Sequence, residues 1–248
     1  MYTNTSKILV LIPLILLTIA KFSFAQQAQV KQAFTYDQKE LWFDKIVTLK
    51  NTNLINGPEY FIPFQATTTH PFFGSRELTN EELAYDHQRY VNVPILYDIF
   101  GDILILRLQD KNGLFAMVQI NEDKVESFSL YHHHFRKLTN PKESETGSGY
   151  YDVLYEGKNI MLVAKRGKSK YILNDRVEFQ LEEKFYFIRN NEWSRLSGTG
   201  SCYKLMKANK SRITSFIKSQ KIKVRKQNEQ DIIAIAAFCN SLPETVLK

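Results

Sequence analysis

The chain has 248 residues, 44% of them hydrophobic and 24% charged, a globular composition that excludes a disordered or low-complexity chain. Two cysteines limit it to a single intramolecular disulfide. The formal charge of +7 is modest for this length, so its distribution says more than its sum.

Lys7 precedes a charge-free apolar run over residues 8–20, and Ser23 and Ala25 place small residues at −3 and −1 to a cut before Gln26. That is the layout of a signal peptide over 1–25, cleaved after Ala25. A membrane-spanning helix needs about 20 apolar residues. This run is shorter and carries Pro13, so an uncleaved anchor is the weaker reading. No cysteine lies near the cut to carry a lipid, and no later stretch could span a bilayer. The mature chain is expected to be exported, to the periplasm or the cell surface, without a transmembrane helix. Residues 26–32 read as a flexible leader. Residues 33–248 read as a single domain, with a β-rich body over 33–197 and a basic helical tail over 198–248.

Residues 33–92 are mixed. Residues 42–49 alternate weakly, Asn56-Gly57-Pro58 is turn chemistry, 70–75 reads as a loop, and 78–90 has room for one or two helical turns. The pattern sharpens from Val93. Over 102–108, Leu104, Leu106 and Leu108 share one face, and Ile103, Ile105 and Arg107 the other. Asn112-Gly113 is a strong hairpin signal, followed by a returning strand over 114–120, a turn at 121–124 and a strand over 125–131. After a polar loop at 140–149, strands over 150–155 and 160–165 turn at Gly157-Lys158; strands over 178–188 and 192–196 turn at Asn190-Asn191. This predicts an antiparallel meander, a sandwich or partly closed barrel.

The tail changes period. Ile213, Phe216 and Ile217 form one helical stripe, and Ile232, Ile235, Ala236 and Cys239 another. Asn228 suits an N-cap, with Glu229 and Asp231 in the first turn, and Pro243 ends the second helix. The expected class is therefore α+β, an antiparallel β body with a C-terminal helical hairpin folded onto the sheet.

Removing Lys7 and Lys21 with the signal peptide lowers the charge to +5. Residues 26–194 hold 20 basic and 23 acidic residues, whereas the stretch between Trp193 and Asn228 holds ten basic residues and no acidic one. A solvated helix face accounts for such a run, and so does a binding surface. For an exported protein the partners are an envelope protein, an acidic glycan or an anionic lipid surface, not nucleic acid. Cys202 opens the first helix and Cys239 closes the second, ends that an antiparallel hairpin would bring together, so a disulfide is permitted in an oxidising compartment, although two plain buried apolar residues are the leading reading.

Motifs that carry chemistry are scarce, and no cofactor, metal or catalytic set is expected. The chain has no phosphate loop, HExxH or Gly-x-Ser-x-Gly elbow. Ser197-Gly198-Thr199-Gly200-Ser201 could offer amides to an anion but lacks any nucleotide spacing, and reads as a connection. His132 and His134 would share a face on a strand, as two ligands of a metal-dependent enzyme, against a plain polar strand end. Asp98 and Asp102 could form the acid/base pair of a hydrolase, against the requirements of a tight turn. Tyr150, Tyr151, Tyr155, Tyr186 and Trp193 would either stack on a glycan or pair across strands.

Tyr90-Val91-Asn92-Val93-Pro94-Ile95-Leu96-Tyr97-Asp98, the run YDVLYEG over 151–157, and Phe216-Ile217-Lys218 with Asn240-Ser241-Leu242 resemble segments of uncharacterised exported proteins of Bacteroidetes-type bacteria. The resemblance implies a β-rich envelope protein and carries no activity or site. The leading expectation is a non-enzymatic module that binds a partner or glycan. The rivals are the hydrolase or metal-dependent enzyme and a carrier of apolar ligands inside a β-barrel. Export makes a direct prediction: N-terminal sequencing of the protein from its native compartment reads from Gln26, or within a few residues of it, and a start at Met1 refutes the signal peptide.

Overall fold

The computed structural model describes residues 54–62, 68–109, 115–141 and 147–243, all within the unit Asp44–Lys248. The expected signal peptide and cleavage site, the expected leader, the 42–49 segment and the Asn112-Gly113 turn lie outside the described residues. The strands are β1 (Thr79–Tyr85), β2 (Gln88–Asp98), β3 (Ile103–Gln109), β4 (Phe115–Gln119), β5 (Val125–Leu130), β6 (His133–Thr139), β7 (Ser148–Glu156), β8 (Met161–Leu173), β9 (Arg176–Arg189) and β10 (Glu192–Arg195). They form one open sheet in the order β10-β9-β8-β7-β6-β5-β1-β2-β3-β4, antiparallel throughout. The expected α+β architecture, a β-rich body followed by a helical tail, is the observed one.

Four hairpins close on two-residue loops with both residues at positive φ: Asp86-His87, Tyr131-His132, Asn174-Asp175 and Asn190-Asn191. Such loops match the right-handed twist of the flanking strands. The first of them corrects the helical reading of 78–90, which is instead the β1–β2 hairpin. Its inward residues Leu83, Tyr85 and Tyr90 follow a period of two and are buried. The turn at 121–124 is likewise not a hairpin. Glu122–Lys124 is a 3₁₀ turn capped by Asn121, and it delivers β5 to the free side of β1. The amide of Ile120 bonds the Leu104 carbonyl at 2.9 Å, and that of Asp86 bonds the Lys124 carbonyl at 2.8 Å, so the crossing chain is tied to β3 and to the β1–β2 loop.

One face of β1–β3 and β5–β7 contributes Val93, Ile95, Tyr97, Leu104, Leu106, Phe128 and Phe135 to the main apolar cluster of this half of the sheet. Leu96 and Ile105, on the opposite face, pack with Tyr60 and Phe72. The alternation expected over 103–108 is thus observed, with both faces used. β8 and β9 pair over 13 positions, but β7 accompanies β8 only from Met161 to Ala164. The remainder is a two-stranded ribbon, marginal by itself. The 68–72 segment braces it from Lys168 outward: Thr68 and Thr69 donate to Glu178 at 2.7 and 2.6 Å, and Lys168 Nζ donates to the carbonyls of His70 and Phe72.

The tail holds α1 (Thr199–Cys202), α2 (Lys210–Ser219) and α3 (Glu229–Ser241). The Asn228 side chain accepts the Asp231 amide at 3.1 Å, the expected N-cap. α2 ends with Lys221 at positive φ, the Ile222 amide on the Ile217 carbonyl and the Lys221 amide on Lys218, a Schellman closure without glycine. Ile213, Ile217, Ile232, Ile235, Ala236 and Cys239 pack on Leu162, Ala164, Phe185 and Phe187, so both predicted stripes bury against the sheet. Phe216 is half-buried and stacks on Phe238 at 4.2 Å. Among the described residues no helix is long and apolar enough to cross a membrane. Ile235→Ala, at a fully buried site, should cost about 2–5 kcal/mol in a urea melt, whereas Lys218→Gln on the exposed side of α2 should change stability by no more than about 0.5 kcal/mol.

Candidate functional site

Inward phasing of β7 and β8 places two charged residues where apolar ones are the rule. Tyr150 and Asp152 share a face, as do Leu162, Ala164 and Arg166, so Asp152 and Arg166 both point into the layer between sheet and helices. Arg166 is 4% exposed. Its Nε and Nη2 donate to Asp152 Oδ2 at 3.0 and 2.6 Å, and Nη2 also donates to Glu229 Oε2 at 2.6 Å. Nη1 bonds Glu183. His133 Nδ1 lies 2.7 Å from the same Asp152 oxygen. One guanidinium thus answers three carboxylates from β7, β9 and α3, with an imidazole from β6 at the edge. None of these five residues stood out as a site residue in the sequence, although alternation within the strands would have flagged Asp152 and Arg166.

The Asp98/Asp102 pair is a turn, not an acid/base couple. Asp98, 1% exposed, accepts the Phe100 and Gly101 amides at 2.8 and 3.0 Å on one oxygen and the Tyr60 hydroxyl at 2.8 Å on the other. Asp102 pairs with Lys165 at 2.6 Å and accepts the Tyr97 hydroxyl. Burial, and then Asp102 beside it, drive the Tyr97 phenol well above its ordinary range.

The two histidines do not share a strand face. His132 occupies the β5–β6 loop at φ 67°, which takes it out of the strand, and His134 is exposed on β6. No group of three or more His, Cys, Asp or Glu side chains among the described residues is arranged to hold a metal ion. Tyr151, Tyr186 and Trp193 form a buried cluster with ring centroids 5.2–6.2 Å apart, and Tyr150 lies in the main core. These rings pair inside the protein and cannot face a glycan. Cys202 and Cys239 are free thiols buried in one apolar cluster, each pushed up to about 12 by burial.

The Ser197-Gly198-Thr199-Gly200-Ser201 loop is closed on itself. Ser201 Oγ accepts the amides of Ser197 and Gly198 at 3.0 and 3.3 Å and donates to the Gly198 carbonyl at 2.6 Å, so those amides are not free for an anion. The loop nonetheless forms one wall of a concavity of about 770 Å³ whose other wall is the 222–226 segment. Three things seat that segment: Val224 is buried, the Gln227 side chain donates to the Leu196 carbonyl at 3.1 Å, and α3 begins immediately after it. Lys223, Arg225 and Lys226 line the concavity, and among the described residues no carboxylate does.

All ten bases between Trp193 and Asn228 are exposed, and none of them makes an ion pair with a described residue. In the body Arg89, Lys124, Arg136, Lys137, Lys165 and Arg166 each face a carboxylate, whereas Arg76 and Arg107 do not. The tail is a run of cations that no described carboxylate compensates.

Comparison with protein-family models, curated proteins and solved structures gives no match.

The ionic cluster generates a pH prediction. The hydrogen bond to Asp152 holds the His133 imidazolium above its usual range, against burial and the Arg166 charge. A raised folded value means that the stabilisation is complete below the unfolded value near about 6.5 and is lost as pH rises through the folded one. His133 ring resonances should titrate above about 6.5, and wild type should lose stability relative to His133→Gln on passing upward through that midpoint. A midpoint below it overturns the assignment.

Proposed function

We propose that the protein is an exported, non-enzymatic module of the bacterial envelope that binds an acidic glycan through the basic surface of its helical tail. The observation that carries this reading is the set of ten exposed bases without ion pairs. Like charges gathered on one element repel one another and raise the local concentration of a polyanion. Residues 1–25 support the location, and with it a glycan in place of nucleic acid.

The chemistry of the concavity favours a glycan over a bilayer. Ser197 and Thr199 contribute hydroxyl groups beside the cations of 223–226, a mixture suited to a carboxylated or sulfated sugar. Among the described residues the tail exposes no large apolar side chain as a wedge for lipid; those that are exposed lie on 61–62, β4, β8 and β9. The enzymatic rivals lose support because both carboxylates of the 98–102 turn are engaged within the fold.

Polygalacturonate and heparin columns test the reading, with phosphatidylglycerol vesicles and duplex DNA as comparators. The mature protein should bind the polysaccharides at about 0.1 M salt and release them near about 1 M, where the screening length falls to about 3 Å. Replacing Lys223, Arg225 and Lys226 with Gln should abolish retention while leaving the melting curve in place. Failure to bind, or equal binding to vesicles or DNA, overturns the glycan assignment.

A further inference from the structure

A second surface has the opposite character. Gly57 approaches β4 so closely that a Cβ on it would lie 1.9 Å from the Gln119 carbonyl oxygen. That approach lets Glu59 bridge to Val118, with the Tyr60 amide on the Met117 carbonyl at 2.8 Å, laying residues 58–60 along the outer edge of the sheet. Phe72 bridges to Asp98 on β2. Between these two segments, on the face of β2–β4 turned away from the main core, lies a groove of about 680 Å³.

Leu96, Met117, Tyr60 and Phe72 give the groove an apolar floor and wall. Phe61, Ile62 and Phe115 are also part of its lining, yet they are 71%, 50% and 56% exposed. A cluster of large apolar side chains left in water marks a ligand or partner site. The volume falls within the range of about 300–1,000 Å³ usual for small-molecule sites.

Charge defines the ligand further. Arg76 and Arg107 line the groove, and neither makes an ion pair with a described residue. Arg76 donates to the Thr69 carbonyl at 2.8 Å, and the Arg107 guanidinium lies 3.5 Å above the centre of the Phe115 ring, keeping donor capacity beside the apolar rim. Among the described residues Glu59 is the one carboxylate in the lining, against two guanidiniums. His70, also in the lining, stacks on Phe72, and its Nδ1 is buried without a hydrogen-bond partner. Orphaned buried nitrogens are rare and call for an acceptor or donor from outside.

We propose that this groove binds an anionic amphiphile, a single acyl chain bearing a carboxylate, with the chain on Leu96, Phe72 and Met117 and the carboxylate on Arg76 and Arg107. A planar carboxylate matches the fork of a guanidinium, and an acyl chain covers the exposed phenyl rings. The site is independent of the basic tail and of any glycan bound there.

Calorimetric titration of the mature protein with laurate tests the assignment, alongside dodecanol, which keeps the chain, and acetate, which keeps the charge. Laurate should bind saturably at one per chain. Dodecanol should bind at least roughly tenfold more weakly, the loss expected from one charge-assisted hydrogen bond, and acetate, which keeps the charge but has no chain to bury, should show no saturable binding. Arg107→Gln should weaken laurate by a similar factor, and Phe61→Ser, at an exposed position that the fold does not need, should weaken laurate and dodecanol alike. The Lys223, Arg225 and Lys226 triple variant should bind laurate as wild type does, which separates this site from the tail. No saturable laurate binding, undiminished binding in Arg107→Gln, or preference for a short apolar peptide with a free C-terminal carboxylate over laurate overturns the proposal.

Discussion

The position of the helical layer depends on one buried cation. Apolar packing of Ile213, Ile217, Ile232 and Ile235 on Leu162, Ala164, Phe185 and Phe187 supplies most of the attraction between the layers, but hydrophobic contact is non-directional. Arg166 supplies direction. Its bond to Glu229, in the first turn of α3, fixes which end of that helix lies over β8, and its bonds to Asp152 and Glu183 fix the point on the sheet. At the other end the Asn240 side chain accepts the Asn159 amide at 2.8 Å, so α3 is pinned at both ends along β8. Burying such charges is costly, and a well-packed apolar replacement of the whole set would serve stability as well or better. What the cluster contributes is register. Removing the guanidinium alone is a different matter, because it strands Asp152 in a site where water cannot reach it.

That register has a functional consequence on the glycan reading. The 222–226 segment is joined to α3 through Gln227 and Asn228, so the placement of α3 also places Lys223, Arg225 and Lys226 beside the Ser197–Ser201 wall. Each of those cations projects from a short irregular segment that would otherwise be driven apart by its own charge. Buried Val224 and the Gln227 bond to Leu196 hold it against that repulsion. A buried, compensated charge therefore positions an exposed, uncompensated set.

The elements legible in the sequence were those in which a local period coincides with burial. Residues 103–108 are apolar at every position but Arg107 because both faces of β3 are covered, one by the main core and the other by Tyr60 and Phe72. The stripes of α2 and α3 stand out because each helix has one buried side. The first hairpin was hidden because its loop is Asp86-His87, without the glycine or paired asparagines that made Asn190-Asn191 recognisable. Tyr131-His132 is less recognisable still: a tyrosine at positive φ is uncommon, and what holds it is tertiary, its hydroxyl on the Glu77 carbonyl at 2.7 Å and its amide on Glu81. The same loop removes His132 from the strand and ends the paired-ligand geometry. The path from β4 to β5 was hidden for a related reason, since a turn sequence at 121–124 does not state which strand the chain rejoins.

The two candidate surfaces differ in legibility for the same physical reason. The cationic tail is a run of neighbours in sequence, and charge needs no partner to be read. The groove is assembled from the 59–62 and 70–78 segments together with single positions on β2, β3 and β4, none of which is unusual in its own strand. Arg107 reads as the polar side of an alternating strand, and Phe115 as a strand residue beside a turn. Only the pairing of β3 with β4 brings the two together, because the Arg107–Met117 register sets Phe115 two residues along the same face, within reach of the guanidinium. An apolar site that carries its own counter-charge is thus a product of strand register, and a shift of one residue would send Arg107 and Phe115 to opposite faces and dissolve it.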